Sequence, residues 1–194
     1  WVLSGYSIAS GAFLMLAGRL ADQKGRRRLF LVGVVVFVVG SLLAGMATSA
    51  GTLIAARVVQ GMGSSILGPS SLAMILPAFP GDRRSTVIGI WGASAALGAA
   101  FGPSIGALLI DATSWRWVFF VNVPIGALIL VLTPRFVRES SDPDARGGFD
   151  LVGVPAGTVG VALVLLAVVQ GEQWGYFSAP SVLSVLLGLS LIGL

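Results

Sequence analysis

The chain has 194 residues, 56% of them hydrophobic and only 10% charged, against roughly 25% charged for a soluble domain, which excludes an ordinary water-soluble fold. Its net charge of +4 does not point to nucleic acid, because the cations sit in short connections between apolar runs and form no face or tail. With no Cys and no His, disulfides, thiolate chemistry and the commonest metal ligands are excluded, and no metal or cofactor is expected.

Residues 2–20 form the first predicted span, with Ser4, Ser7 and Gly11 as a small-residue stripe of the kind that marks helix contact. Residues 18–28 then set Arg19, Lys24, Arg26, Arg27 and Arg28, one carboxylate, Asp22, and two glycines, Gly18 and Gly25, between two apolar runs. Lys and Arg stay on the cytoplasmic side of a membrane, so this loop orients every helix after it. Two partners are open to Asp22. One is the start of a neighbouring helix, where the dipole favours a negative charge, which makes the loop a latch between halves of a rocking protein; the other is Arg26, one turn away.

Residues 29–48 approach the ~20 needed to cross the hydrocarbon core; uncharged and Val-rich, they read as a mainly lipid-facing span. A polar turn at 49–52 reverses the chain on the outer side. Residues 53–76 are the third span, ended by Pro77, Pro80 and Gly81, and the connection with Asp82, Arg83 and Arg84 is again inside. Residues 87–110 cross fourth and 111–115 turn outside. Residues 117–133 cross fifth, with Trp115 and Trp117 as interfacial anchors. Residues 134–150 make a polar inner linker, and 151–170 a sixth span with Asp150 placed to cap its start. Trp174 and Tyr176 lie at the outer interface, and 181–194 open a seventh span.

Arg19, Lys24, Arg26, Arg27, Arg28, Arg83, Arg84, Arg135, Arg138 and Arg146 then fall inside, ten of the twelve cations. Arg116 falls outside and Arg57 within a span, an asymmetry that supports this orientation over its reverse. The chain begins at Trp1 and stops at Leu194, both within apolar segments. Since the first helix enters from the outside, a preceding span is expected, and the chain reads as an internal piece of a larger polytopic protein.

Arg57 is the one charge well inside a predicted span, at a cost of roughly 2.5 kcal/mol or more at the centre. Gln60, Gly61 and Ser64 follow at three, four and seven residues, so one helix face carries a guanidinium, an amide and a hydroxyl beside small residues. That face suits a water-lined cavity; the alternative is an Arg57 that snorkels to the headgroups. Gly98, Gly102 and Gly106 recur every fourth residue and form a groove for close helix approach, and Pro103 removes one backbone hydrogen bond and bends the span. No paired carboxylates lie in a span, no Walker loop is present and no Ser has a His partner, so an enzyme is not expected.

These stretches resemble the major facilitator superfamily and, within it, the fourteen-span drug:proton antiporters of the EmrB/QacA type. Gly18-Arg19-Leu20-Ala21-Asp22 through Arg28 is similar to the superfamily's signature loop between spans two and three, G-x-L-a-D-r-x-G-r-r, with Gln23 in place of the usual Arg. Arg57-Val58-Val59-Gln60-Gly61-Met62-Gly63 resembles the R-x-x-q-G-x-g motif of span four, implicated in proton coupling. The run from Leu97 to Gly106 resembles the span-five antiporter motif g-x-x-x-G-P-x-x-G-G, with Ala107 replacing its last Gly. Trp115-Arg116-Trp117 through Asn122, Pro124 and Gly126 resembles the W-R-W-x-F-x-x-N-x-P-x-G run of the fourteen-span group.

The resemblance implies an all-α, polytopic transmembrane helical bundle, a partial major facilitator fold. Residues 1–136 hold spans two to six of the N-terminal bundle, 137–150 a cytoplasmic linker, and 151–194 an extra span seven and the start of span eight. It implies a proton-coupled exporter of small amphiphilic compounds in the cell membrane. Arg57, Gln60, Gly61 and Ser64 fall to the proton and substrate pathway. Gly98, Gly102, Pro103 and Gly106 fall to a gating and sealing helix, and Gly18, Asp22, Gly25 and Arg26 to a cytoplasmic latch. Expected partners are the lipid bilayer, protons, a small-molecule substrate, and a first span and C-terminal half of the same protein. A nutrient symporter and a non-transporting membrane scaffold or fragment remain the competing readings.

Overall fold

A computed structural model describes residues 1–141 and 152–193, and these residues are helical with short connections. The helices are α1 (Val2–Ala12), α2 (Leu14–Lys24), α3 (Arg26–Gly45), α4 (Ala50–Ile75), α5 (Arg84–Ala112), α6 (Trp117–Phe120), α7 (Asn122–Phe136), α8 (Gly153–Trp174) and α9 (Ala179–Ile192). Single 3₁₀ turns at Leu76–Ala78 and Gly81–Arg83 carry the chain from α4 to α5. Asp142, Asp144, Arg146 and the cap expected of Asp150 lie outside the described residues.

The largest departure from expectation is at the signature segment. Instead of a loop over 18–28, α2 continues as helix to Lys24, Gly25 alone breaks it, and α3 begins at Arg26. The charged turns thus leave the apolar zone while still helical, which keeps their backbone hydrogen bonds. The first span is also two helices of 11 residues, parted at Phe13, although Phe13 and Ala17 still donate to the carbonyls four residues back. Residues 49–52 are not a free turn. Ser49 caps α4 and exchanges hydrogen bonds with Thr52, so the first helical turn starts at Ala50. Between α6 and α7 the break at Val121 precedes Pro124, whose ring clashes with the carbonyl four residues earlier.

Among the described residues, four segments are long and apolar enough to cross a bilayer: Arg26–Gly45, Gly81–Ala112, Trp117–Phe136 and Gly153–Trp174. Seven were expected. The 26 residues of α4 have the length, but Arg57, Gln60, Ser64, Ser65, Ser70 and Ser71 dilute its apolar character; α1 and α2 are short because of the break at Phe13, and α9 has 14 residues.

The core centres on α4, flanked by α1 on one side and α3 on the other, with α7 on the far side of α3 and α8 and α9 paired beside α1. The expected lipid-facing character of 29–48 holds for one face only. Val32, Val35, Val39 and Leu43 are exposed, whereas Gly33, Val34, Gly40, Ser41 and Ala44 are buried. Gly33 and Gly40, seven residues apart, bring α3 against α4. A Cβ on Gly40 would lie 2.6 Å from the backbone nitrogen of Gln60. Likewise the buried stripe of α1 is Gly5, Ala9 and Ala12 rather than Ser4, Ser7 and Gly11; Ser7 is exposed, and Gly11 faces Leu165 of α8. Smaller side chains let the helix axes approach, so contact follows size more than polarity. Gly40→Leu is therefore expected to lower the melting temperature of the purified full-length protein, in line with about 1–3 kcal/mol for overpacking; an unchanged melting temperature would contradict the α3–α4 contact.

Candidate functional site at the α1–α3–α4 junction

The middle of this junction holds a polar cluster among apolar helices. Arg57, on the second turn of α4, donates from Nε to the Val2 carbonyl at 3.3 Å and from Nη1 to Gln60 Oε1 at 2.5 Å. Its guanidinium carbon lies 4.0 Å from the centroid of the Tyr6 ring, with Phe119 at 5.8 Å. Gln60 is buried, 2% exposed, and donates from Nε2 to Ser41 Oγ at 2.5 Å. Tyr6 donates its hydroxyl proton to Ser64 Oγ at 2.7 Å, and Ser10 donates to the Gly61 carbonyl at 3.2 Å.

Each predicted residue of this face is therefore engaged. Gly61 lies where α1 passes close against α4, and a Cβ there would lie 2.5 Å from the Tyr6 carbonyl oxygen. The 3.6-residue period puts Arg57, Gln60, Gly61 and Ser64 on one side of α4, and α1 supplies the opposing ring and hydroxyls. Tyr6, Ser41 and the Val2 carbonyl are participants that sequence reasoning missed. Tyr6 carried a faint signal as one of two tyrosines in the chain, placed within a predicted span rather than in a connection.

At the end of the bundle where α2, α4 and α7 stop, the basic segment forms a second cluster. Arg26 grips Asp22 from Nε at 3.1 Å and Nη2 at 3.0 Å, and reaches the Ala73 carbonyl of α4 at 3.4 Å. Of the two partners left open for Asp22, the local ion pair is the one observed. With the side chains 20% and 42% exposed, such a pair is worth roughly 0–1 kcal/mol.

A different carboxylate occupies the start of α3. Glu139 accepts from the Arg27 backbone N–H at 3.0 Å and from the Arg28 backbone N–H at 3.1 Å, while the Arg26 N–H bonds the Ser140 carbonyl at 2.9 Å. The Arg27 and Arg28 side chains lie within 3.8 Å and 4.0 Å of the same carboxylate, and Arg27 Nη1 donates to the Val137 carbonyl at 3.1 Å. Three arginines at a helix N-terminus oppose the helix dipole; Glu139 offsets them and satisfies two orphan donors. Gly25 is required for this. Its φ of 103° is closed to most side chains, and a Cβ would lie 2.8 Å from Glu139 Oε1. Gly18 sits within α2 with no described atom within 4 Å of where its Cβ would project. Glu139 carried no local signature, because its partners are more than 110 residues earlier in the chain.

Helix α5 runs unbroken through Pro103 from Arg84 to Ala112, and none of its residues is buried. Positions Gly98, Gly102 and Gly106 face no described atom within 4 Å. The groove expected there exists as a stripe, and no described helix fills it. At the opposite end of the bundle from the basic cluster, Arg116 donates to the Ala47 carbonyl at 3.0 Å and lies 4.5 Å from the Trp115 ring centroid. The cations of α2 and α3 and Arg116 thus sit at opposite ends, as the alternation of loops requires.

A profile described as the Major Facilitator Superfamily matches residues 1–194. The chain belongs to the Major Facilitator Superfamily. It is 41% identical over 194 residues to "Multidrug resistance protein Stp" of Mycobacterium tuberculosis, covering 100% of this chain and 36% of that protein. It is 37% identical over 193 residues to "Drug efflux pump JefA" of the same organism, covering 99% and 38%. To "Methylenomycin A resistance protein" of Streptomyces coelicolor it is 36% identical over 181 residues, covering 93% and 38%. The chain spans little more than a third of the length of these relatives. Membership of this superfamily and the apolar helices of the chain make it an integral membrane protein, with the bilayer as its solvent.

Proposed function

We propose that the full-length protein exports drugs or other small amphiphilic compounds across the cell membrane in exchange for protons, by alternating access of two helical bundles. The observation that carries this reading is the Arg57–Gln60–Ser41 chain with its Tyr6 cover, a charged polar cluster inside an apolar bundle. Ionisable groups at membrane depth are costly and mark ion or substrate paths. Arg57, Gln60, Gly61 and Ser64 belong to the proton and substrate pathway. The open glycine stripe of α5, Gly98, Gly102 and Gly106 around Pro103, belongs to a helix that seals or reshapes that path. Gly25, Asp22 and Arg26 act at a cytoplasmic latch, Asp22 through Arg26, which also reaches the Ala73 carbonyl of α4, with Gly18 in the helix that leads to it, and the basic cluster faces the cytosol. The names of the relatives, two of them resistance proteins and one an efflux pump, favour export over uptake.

Direction of flux is the test. In proteoliposomes holding the full-length protein, a pH gradient acid on the side opposite the basic cluster is expected to drive substrate from the cytosolic face toward the acidic compartment. Movement of substrate in the same direction as protons would make it a symporter, and no flux at all would make it a scaffold. Within the same assay, Gly102→Leu with Pro103→Ala is expected to reduce efflux several-fold or more, since closing the groove blocks helix approach. Unchanged efflux would remove α5 from the gating role.

A further inference from the structure

We propose that Tyr6 and Ser41 are positioning residues for the Arg57–Gln60 pair, and that together they hold the guanidinium charge in place without neutralising it. This rests on the reading of Arg57 as part of the proton pathway. Neither residue lies in a stretch that the sequence marks as functional, and they come from different helices, α1 and α3, on either side of α4.

A guanidinium taken out of water needs acceptors in its plane and a compatible surface against its face. Here the Val2 carbonyl and Gln60 Oε1 supply the in-plane acceptors, and the Tyr6 ring at 4.0 Å supplies the face. No carboxylate among the described residues pairs with Arg57. Dipoles and a π face hold a cation but do not cancel its charge, so it still acts on any proton-binding carboxylate brought near, lowering that group's pKa.

Both supports are themselves fixed. The Tyr6 hydroxyl is tied to Ser64 at 2.7 Å, one turn beyond Gln60 on α4, which sets the ring plane relative to Arg57. Ser41, fully buried, accepts from Gln60 Nε2 at 2.5 Å, so the amide must turn its oxygen to Arg57. Close backbone contacts lie at the same level on both sides, at Gly61 against Tyr6 and at Gly40 against Gln60. The three helices therefore carry the charge as a unit, and a shift of α1 or α3 relative to α4 changes where it sits.

The test is the pH profile of transport by the full-length protein in proteoliposomes. Displacing the cation raises the pKa it was holding down, so the midpoint moves up. Tyr6→Leu is expected to shift it upward by roughly 1 pH unit and Ser41→Ala by less, in the same direction. Tyr6→Phe and Tyr6→Trp keep an aromatic face but lose the tie to Ser64, so each is expected to shift the midpoint by clearly less than Tyr6→Leu. Matched reconstitution yields separate these shifts from loss of folded protein. In an Arg57→Ala background, Tyr6→Leu is expected to add nothing further, since the two then act on one charge. A Tyr6→Leu midpoint at the parent value while Arg57→Ala moves it, or a shift that persists undiminished without Arg57, would overturn the proposal. An Arg57→Ala profile identical to the parent overturns the pathway reading itself.

Discussion

Replacing Arg57 by alanine in the full-length protein is expected to lower proton-driven efflux by at least about tenfold, equivalent to ~1.4 kcal/mol of lost coupling, with a residual rate that still yields a pH profile. Two consequences combine. The charge that acts on the proton pathway disappears, and Gln60 Oε1, in a side chain that is 2% exposed, loses its donor. An unpaired buried polar group costs roughly 1–3 kcal/mol, so a moderate fall in melting temperature should accompany the loss of flux. Arg57→Lys separates the two effects. It keeps the charge but not the planar fork that reaches both the Val2 carbonyl and Gln60, so it should retain part of the flux with weaker coupling. Flux under an imposed pH gradient, measured per reconstituted molecule, distinguishes these outcomes. Retained coupling in Arg57→Ala would return the residue to a snorkelling role at the outer interface.

The second large effect is expected at Gly25. Gly25→Ala forces a side chain into a backbone conformation at φ 103°, a strain of about 1–3 kcal/mol, and drives its Cβ against the Glu139 carboxylate. Displacing that carboxylate uncaps α3, which costs a further ~0.5–2 kcal/mol. The variant should melt well below the parent and transport poorly. Glu139→Ala alone loses only the cap and should fall between the two. Adding Gly25→Ala to Glu139→Ala should cost less than it does in the parent, because the collision is gone while the backbone strain remains. Strict additivity in melting temperature would contradict the contact between Gly25 and Glu139.

The helices and their order were legible in the sequence because apolar run length and the asymmetry of cations are properties of single segments. So was the polar face of α4, since Arg57, Gln60, Gly61 and Ser64 share it through helical period alone. What was not legible came from pairs distant in the chain. Nothing near Glu139 marks it as the cap of α3, whose first turn lies more than 110 residues earlier, and Asp22, the nearer carboxylate, closes on Arg26 instead. Tyr6 meets Arg57 only because Gly61 lets α1 approach. The mean character of α3 misled in a different way. Its valines dominate composition, but Gly33 and Gly40, two turns apart on one face, decide that the helix packs on α4. The dense charge of residues 18–28 suggests a loop, whereas helix persists to Lys24 and Gly25 alone breaks it.

On the function proposed, the Arg57 face of α4 borders the aqueous path of a transporter. Thiol accessibility measures this directly, and the chain offers a clean start because it contains no cysteine. In a cysteine-free full-length protein, Ser64→Cys should react with a small charged thiol reagent, and substrate or a change of the pH gradient should alter the rate. Val39→Cys, on the exposed face of α3, serves as the lipid-facing comparison. A Ser64→Cys rate no faster than that of Val39→Cys, and insensitive to substrate and to pH gradient, would place the Arg57 face away from any aqueous path.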